Sequence, residues 1–600
     1  MIVPMKKVTI VVLEKEREAS LRRLAELGVL HVEHVRPPSG ASVEDIKSRI
    51  YRISRVLEIL PESERAEESR TPGDWDALME KVVCLREEVV RREERRQRVR
   101  ARIDLWKDWG DFDPSLIDNL RSRGVHVHLA VVSEKGLSSV PGDVVVERLF
   151  KKGSSVYCVL ISRQPREFAF PLLPLPEKSL SELRSEEKEE TRAIAAAAAE
   201  LELLAVHRPA LQSRLSQSLS ELEFEQTRSG MGEAGRLSYL RGYSPRDQVR
   251  RLEESADRSG WAILVEEPGE KDQVPTLISN PRLVSLIRPV LEFIDIVPGY
   301  REVDPSLVFL FFFSLFFAML IGDAAYGAIF LASAGLAHWR LGRRLADKRP
   351  IFLLYVLSIA TVAWGVLTGT YFGQQWLPAT VTGFVPWMRE SNNVIRLCFL
   401  IGAIQLSIAH LWRVMMKAPS LLALADVGWI CVIWTMYFVA GMFILARPLS
   451  PAVYGLGTAG LGLLVVFSIP PRNFFRDLVP RNFALFLSVI SSFADVVSYI
   501  RLFAVGLASI AIADAFNTMA ASLGWSSVLS GSIAALILLL GHVLNMILGG
   551  MAILVHGVRL NVLEFSSHLG NEWSGITYRP FRGMESRTGV DANPELKGAQ

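Results

Sequence analysis

The sequence predicts a mixed fold. It reads as a soluble half of two small α/β lobes joined by an antiparallel coiled coil, then an all-α polytopic membrane half of about eight helices, the last two long and tilted. Three observations carry this. Up to about residue 300 the chain is charged and mixed, whereas beyond Pro305 apolar runs follow one another, several near the ~20 residues a membrane helix needs. Within the first half, apolar residues recur three and four apart, the seam of a coiled coil. Short β-rich runs stand beside those seams.

Taken in order, residues 6–35 read strand, helix, strand, with Gly28 closing the helix. Ile46, Ile50, Ile53, Leu57 and Leu60 form one seam, and Leu78, Val82, Leu85 and Val89 another. TPGD (71–74) reads as a break between them, and RREERRQRVRAR (91–102) as a solvated helical face. Residues 124–165 return to strands. A second helical stretch, 177–228, keeps the spacing through Leu201, Leu204, Leu211, Leu215 and Leu222, with a kink expected at Pro209. Residues 236–267 read strand, turn, helix, strand and resemble the opening unit. The expected organisation is a dumbbell. Its proximal lobe is 1–40 plus 235–295, its arms are 41–110 and 177–230, and its distal lobe is 120–170. Together these make a cytoplasmic domain 1–295, followed by a membrane domain 300–570 and a cytoplasmic tail 571–600.

Composition excludes several classes. A net charge of +3 gives no electrostatic reason for nucleic acid as a partner. Cys84, Cys158, Cys398 and Cys431 are scattered, so neither a disulfide framework nor a metal site is expected. The soluble half holds no phosphate-binding glycine loop and no nucleophile elbow, so it suits a strut better than an enzyme. The apolar stretch in MIVPMKKVTIVVLEKERE is too short for a signal peptide and reads as a strand, which leaves this half in the cytoplasm.

Apolar runs fall at 306–338, 350–372, 393–413, 420–446, 452–469, 483–520 and 527–563. Lys and Arg concentrate in alternate loops, at 338–350, 413–417, 470–481 and after Arg579. The alternation holds with both termini cytoplasmic if 306–338 crosses twice, turning at IGDAAYG (321–327). Each arm is then about 16 residues, short of the usual ~20. The final two runs approach 40 residues, on the order of 55 Å, and must tilt or extend beyond the bilayer.

The charge in SYIRLFAVGLA (498–508) stands out. Arg501 lies inside an apolar run, where a cation costs at least about 2.5 kcal/mol, and arginine cannot escape by losing its proton. Ser488, Ser491, Asp495 and Ser498 form a polar stripe with Arg501 at its edge. Ala504 and Ala508, one and two turns on, leave room for another helix. On the last helix, His542, Asn545, Gly549, Ala552, His556 and Arg559 form a second stripe. The bland readings are back-bonding serines, His and Asn tying helices together, and a snorkelling Arg559. Arg501 resists such a reading. An acid facing lipid keeps its proton, and a nearby permanent cation drives the proton off. A mobile acid carried past Arg501 would therefore release and regain a proton, and a partner must supply that acid.

The membrane half resembles subunit a of V-type and A-type rotary ATPases, called subunit I in archaea and bacteria. DQVPTLISNP (272–281), VPGYREVDP (297–305), FFFSLFFAMLIGDAAYG (311–327), WGVLTGTYFG (364–373), SYIRLFAVGLA (498–508), GHVLN (541–545) and VHGVRLNVLEF (555–565) carry the resemblance, in that order. It implies a non-catalytic, multi-pass stator subunit of the cell membrane, without cofactor or metal. Arg501 would face the proteolipid c-ring (subunit K or L), and Arg559 would support it, with His556 and Glu564 at family positions beside it. The remaining ion-path candidates are Asp495, Ser498, His542 and Asn545. Partners implied are the c-ring, peripheral-stalk subunits E and G or H, the central-stalk cap (C or d), and membrane lipid. Leu487 and Ser488 stand where many relatives carry a carboxylate, and Gly549 where eukaryotic relatives carry an acid. Either Asp495 substitutes or that half-channel is built differently. Asp323 and Asp426 read as structural or interfacial. Whether H⁺ or Na⁺ is carried is open at this stage.

Two other classes compete. A secondary transporter with a cytoplasmic regulatory domain could bind an anionic substrate at Arg501, but the membrane segments show no internal repeat. A sensor signalling through its coiled coil would need no buried arginine.

Overall fold

A computed structural model describes the chain except residues 63–72, 138–139, 169, 346, 374–384, 469–473, 525 and 583–600, and the side chains of 135–136, 386, 389 and 474–483. Part of the expected break at 71–74, residues 470–473 of the expected basic loop 470–481 and most of the tail 571–600 lie outside these; the rest of that loop, from Phe474, is the start of a helix. The chain divides into two compact units, Arg36–Gly230 and Met1–Val35 with Met231–Gln600.

The first unit is built on the seams. Helices Ala41–Ile59, Trp75–Trp106, Leu180–Leu204 and Arg208–Gly230 bring Ile53, Val56, Leu78, Val82, Leu85, Leu201 and Leu211 into one buried core. Asp74 opens the second helix, its carboxylate accepting from Asp76 N and Ala77 N. Ser179 and Glu182 close a capping box at the start of the third. The third and fourth helices are separated by a single turn, Ala205–His207, just before Pro209. Strands His126–Ser133, Val145–Lys152, Ser155–Ser162 and Leu172–Leu173 make a four-stranded antiparallel sheet, packed on Trp106, Trp109 and Leu180.

In the second unit, strand Met5–Leu13 lies between Leu237–Pro245 and Ala262–Glu266, antiparallel to both. His31–Glu33 and Gly232–Ala234 each pair with Leu237–Pro245. Gly28 ends the helix Arg17–Leu27 at φ 60°, a left-handed position that favours glycine. The segment after the last long helix returns to the residues flanking this sheet and forms a separate two-stranded sheet there. Ile576–Thr577 pairs with Pro275–Thr276, Tyr578 Oη donates to Val29 O at 2.7 Å, and Phe581 N donates to Leu30 O at 2.8 Å. His31 Nδ1 lies 3.0 Å from both the N and the O of Arg579.

The apolar half of this unit is all helix. Helices α1 (Ser306–Ile321), α2 (Ala324–Leu341), α3 (Arg349–Thr368), α4 (Ser391–Lys417), α5 (Ala423–Leu445), α6 (Pro451–Phe467), α7 (Phe474–Ser498), α8 (Ile500–Leu523) and α9 (Val528–Ala552) follow in order. Five described helical stretches are long and apolar enough to cross a membrane: α3, α4, α5, Ala484–Leu523 and Val528–Leu569. Two further apolar helices, α1 and α6, are shorter. The run 306–338 breaks at Gly322 (φ 68°) and Asp323. One Asp323 oxygen accepts from Ala325 N and Tyr326 N and the other from Gly373 N, so this acid holds a turn together. Glycines let the helices approach: a Cβ on Gly365 would lie 2.0 Å from Ala324 N, and one on Gly506 would lie 2.7 Å from Met319 O.

Gly365→Val should lower the thermal midpoint of the detergent-solubilised chain by the equivalent of about 1–3 kcal/mol, the usual cost of overpacking. Gly441→Ala, whose added methyl meets nothing within 4 Å, should leave it unchanged; equal midpoints for the two would refute the close-approach argument. The returning segment should respond to pH. Burial holds the His31 pKa below its ordinary value; the Arg579 carbonyl partly opposes this, and the charges of Arg579 and His34 add to the lowering. A detached His31 therefore takes up its proton at higher pH than an attached one. Its contribution to attachment is full above about 6.5 and is lost as pH falls through the lowered value. The protection of the amides at 576–582 against exchange, relative to the free-chain rate at each pH, should fall between pH 7.5 and 5, and His31→Gln should flatten that dependence.

Candidate functional site

The helical run that carries Arg501 has a short break in its hydrogen-bond ladder at Tyr499, between α7 and α8. There the bonds shift to three-residue spacing (Tyr499 N to Val496 O, Leu502 N to Tyr499 O) while the backbone stays right-handed helical; Arg501 is the second residue after it. Tyr499 is wholly buried, its ring against Gly402, where a Cβ would come within 2.6 Å. Its hydroxyl donates to Gln405 Oε1 at 2.9 Å, Gln405 Nε2 donates to Asn561 Oδ1 at 3.0 Å, and Asn561 Nδ2 donates to Gly557 O at 3.1 Å. This buried chain of amides joins the break to α4 and to the end of the last long helix. There the backbone loosens into two wide turns, Ile553–Gly557 and Leu560–Phe565. Such wide turns are rare and concentrate at functional sites.

The break and the wide turns meet at an ion pair. Arg501 Nη2 donates to Glu564 Oε1, and Arg501 Nε donates to Ser498 O at 3.0 Å. Arg559 Nε lies 3.7 Å from the same Glu564 oxygen. Glu564 is nearly enclosed, 6% exposed, and its second oxygen is buried with no hydrogen-bond partner. Arg501 keeps 23% exposure and Arg559 55%. Ala504 and Ala508 are exposed, so among the described residues no helix covers that line of α8. A cation that stays partly open while one carboxylate shares it with a second arginine can engage a further anion.

The other expected residues fall into two groups. Tyr326 Oη lies 2.7 Å from His542 Nδ1 and accepts from Asn545 Nδ2 at 3.1 Å. Asn545 Nδ2 also donates to Ser509 O, and Ser509 Oγ donates to Asn545 Oδ1. His542 and Asn545 thus belong together but not to the Arg501 pair. Asp495 lies on the opposite side of the break, 3.0 Å from His568 Nε2. Ser498 Oγ donates to Asp495 O, a back-bond to its own helix. His556 Nδ1 is buried without a hydrogen-bond partner. Several contributors were not singled out from the sequence: Tyr499, Gln405 and Asn561, Tyr326 and Ser509, and His568 with His410, whose Nε2 lies 2.9 Å from His568 Nδ1. His410 could have been flagged by the rule that an ionisable residue in an apolar run is functional by default. Tyr326 and Ser509 carry no such signal. Among the described residues no group of His, Cys, Asp and Glu could hold a metal ion.

Comparison with known proteins bears on this arrangement. The V-type ATP synthase subunit I 1 of Treponema pallidum is 32% identical, over 97% of this chain and all of its own length. The V-type ATP synthase subunit I of Borreliella burgdorferi is 30% identical, over 98% of this chain and again its full length. The chain belongs to the V-type and A-type ATP synthase subunit I family. The A-type subunit I of Methanocaldococcus jannaschii is 26% identical over 60% of the chain and 57% of its own. No family profile matches the chain. A solved structure described as the cytoplasmic N-terminal domain of subunit I of V-ATPase aligns with 43% of the chain at 13% identity, with a TM-score of 0.21. Both full-length relatives carry the name of a V-type ATP synthase subunit.

Tyr499→Phe tests the positioning of the pair. It leaves Gln405 Oε1 buried without its donor, at a cost of about 1–3 kcal/mol. The thermal midpoint should fall accordingly. A full-strength midpoint would mean that the amide chain does not hold the break.

Proposed function

We propose that this protein is the stator of a rotary ion-translocating ATPase, coupling H⁺ or Na⁺ flow to ATP synthesis or hydrolysis in partner subunits. In this reading Arg501 faces a ring of lipid-embedded proteolipids, each with one ion-carrying carboxylate. The observation that carries the reading is Arg501 itself: a permanent cation in an apolar helical unit, fixed at a helix break, partly open, with exposed Ala504 and Ala508 next along its face. Exposed apolar side chains stand on α7, α8 and α9, among them Leu487, Ile490, Leu507, Leu544, Ile547 and Leu548. They suit a face that meets lipid or an apolar partner helix.

The chemistry is electrostatic. A ring carboxylate facing lipid holds its proton, or its sodium ion, because a bare charge there is costly. Brought beside Arg501 it ionises, releases its cargo and pairs with the guanidinium. Glu564 already shares Arg501 with Arg559, so the arriving carboxylate meets a cation whose field is moderated, and it can leave again. The polar groups on the two sides of the break, His542 and Asn545 on one and Asp495 and Ser498 on the other, would line separate half-channels. His556 stands beside the pair.

The wider organisation follows from the same reading. Residues 1–295 form the cytoplasmic stator domain, with lobes 1–40 plus 235–295 and 120–170 and arms 41–110 and 177–230. Residues 300–570 cross the cell membrane eight times, leaving the tail 571–600 cytoplasmic. The soluble domain binds peripheral-stalk subunits E and G or H and touches the cap of the central stalk (C or d), while the membrane domain binds the c-ring (subunit K or L). No cofactor is needed. Nothing in the geometry favours the secondary-transporter reading over this one.

Arg501→Ala and Arg501→Lys should both abolish ATP-driven ion transport by the purified complex in vesicles while leaving assembly intact. Normal transport by Arg501→Ala would end the proposal. Arg559→Ala should give partial loss only, since it shares Glu564 from a more exposed position; a loss as complete as at Arg501 would reverse that ranking.

A further inference from the structure

Four titratable side chains stand in one unbroken row beside the site. Asp495 Oδ2 lies 3.0 Å from His568 Nε2, His568 Nδ1 lies 2.9 Å from His410 Nε2, and His410 Nδ1 lies 3.1 Å from Asp426 Oδ1. Every contact is within hydrogen-bond reach. The middle of the row is enclosed: His568 is 8% exposed, His410 2% and Asp426 1%. Its ends are open. The Asp495 side chain is 28% exposed, three residues from the carbonyl that Arg501 Nε holds. At the other end Lys417 Nζ and Arg413 Nε grip Asp426 at 2.6 and 3.1 Å, and both cations reach solvent-accessible surface. Arg413 also donates to His568 O at 3.1 Å, and Trp429 stacks on the His410 ring. The row therefore runs from the break beside Arg501 to the basic end of α4.

We propose that Asp495, His568, His410 and Asp426 form a proton wire, the cytoplasm-side half of the path to Arg501, and that the coupling ion is accordingly H⁺ and not Na⁺. This rests on the stator reading above, and it moves Asp426 from a structural role onto the path. Proton accounting fits the geometry. The row has three contacts and holds three protons, one in each. In the first arrangement Asp495 is protonated and donates to His568 Nε2, His568 Nδ1–H donates to His410 Nε2, and His410 Nδ1–H donates to the Asp426 carboxylate. Each proton then crosses its own contact: one O–H and two N–H bonds break, and two N–H bonds and one O–H form. Asp495 is left ionised, Asp426 is protonated, and both imidazoles are neutral in each arrangement. Asp426, itself enclosed, passes its proton to Lys417 once that ammonium has given one to water at the open end, and Asp495 takes another from an acid discharged near Arg501. Turning of the imidazoles restores the first arrangement. The reverse sequence serves transport in the other direction.

Sodium has no such route here. A hard cation moves between oxygen ligands that enclose it, and two imidazoles in direct contact present nitrogen and no gap. A purely structural clamp would need the same contacts but would be indifferent to whether the bridging atoms can exchange protons, and that difference is what the test reads.

The purified complex in vesicles, supplied with ATP in sodium-free buffer, should build a proton gradient that a protonophore collapses. ATP-driven uptake of radioactive sodium that persists with the protonophore present would overturn the wire while leaving the stator reading intact. Transport of neither ion would overturn both. Separately, His568→Gln and His410→Gln should slow acidification by about 100-fold, within the range for a positioned proton carrier, with the complex still fully assembled. Free imidazole in the buffer should restore part of the rate. An unchanged rate, or an assembled complex whose loss imidazole leaves untouched, would overturn the proposal; if neither variant assembles, the ion measurement on the unmodified complex decides it.

Discussion

The contacts of this helical unit turn on one guanidinium, Arg501, that is half-buried without being fully neutralised. A buried cation needs a partner, because leaving it bare costs several kcal/mol. A partner that saturated it would silence it. The structure meets both demands with one carboxylate and two arginines. Glu564 pairs with Arg501, and Arg559 stands off the same oxygen at 3.7 Å. A set of two cations and one anion keeps a net positive charge while satisfying the innermost hydrogen bonds. The second Glu564 oxygen, buried without a partner, leaves acceptor capacity in the same place. The geometry is held from behind by uncharged groups: Tyr499, Gln405 and Asn561 link three helical segments through hydrogen bonds of ordinary length, all of them buried. Neutral amides and a phenol make a better scaffold than charges here, since they fix position without competing for the field that Arg501 supplies.

Much of this could be read from the sequence, for identifiable reasons. Arg501 was legible because arginine in an apolar run has no bland explanation. The soluble seams were legible because three-and-four spacing has only one packing solution, and Ile53, Val82 and Leu211 are indeed buried together. Gly28 and the turn at Gly322–Asp323 were legible because glycine and an N-capping acid mark helix ends. The polar stripe on the last helix was drawn with ideal 3.6-residue periodicity through Arg559. The wide turns at Ile553–Gly557 and Leu560–Phe565 break that periodicity, so the stripe splits. His542 and Asn545 turn to Tyr326, while Arg559 turns to Glu564. Periodicity cannot anticipate a wide turn, because hydrogen bonds five residues apart leave no mark on composition. Nor can it pair His410 with His568, which are 158 residues apart and meet only because α4 packs on the end of the last helix.

The two polar networks differ in kind, and the difference follows from what surrounds them. The group around Tyr326, His542, Asn545 and Ser509 is closed: Asn545 satisfies a tyrosine, a serine and a backbone carbonyl, and no formal charge enters. The group around Asp495, His568, His410 and Asp426 carries two carboxylates and is met at one end by two cations. Both lie on the segments that carry Arg501 and Glu564, but on opposite sides of them along the chain: Ser509 follows Arg501 on α8, whereas Asp495 precedes the break. On the stator reading this asymmetry has a physical sense. Near the basic loops, charged groups can be sustained because water and cations are close. Deeper along α8 and α9, polarity has to be supplied by neutral groups whose hydrogen bonds are internally complete.

The helix irregularities fall between the two sets of contacts. Asp495 and Ser498 precede Tyr499 on α7, with Asp495 against His568, and Arg501 follows it on α8, paired with Glu564 and followed by exposed Ala504 and Ala508. The wide turns on the partner helix carry Glu564, paired with Arg501, while His568, one turn further, reaches Asp495 and His410. Each irregularity costs helix regularity inside an apolar environment, where backbone groups must be satisfied internally. Two such irregularities therefore meet at one ion pair, with Arg501 partly open on one side of it and Glu564 enclosed on the other.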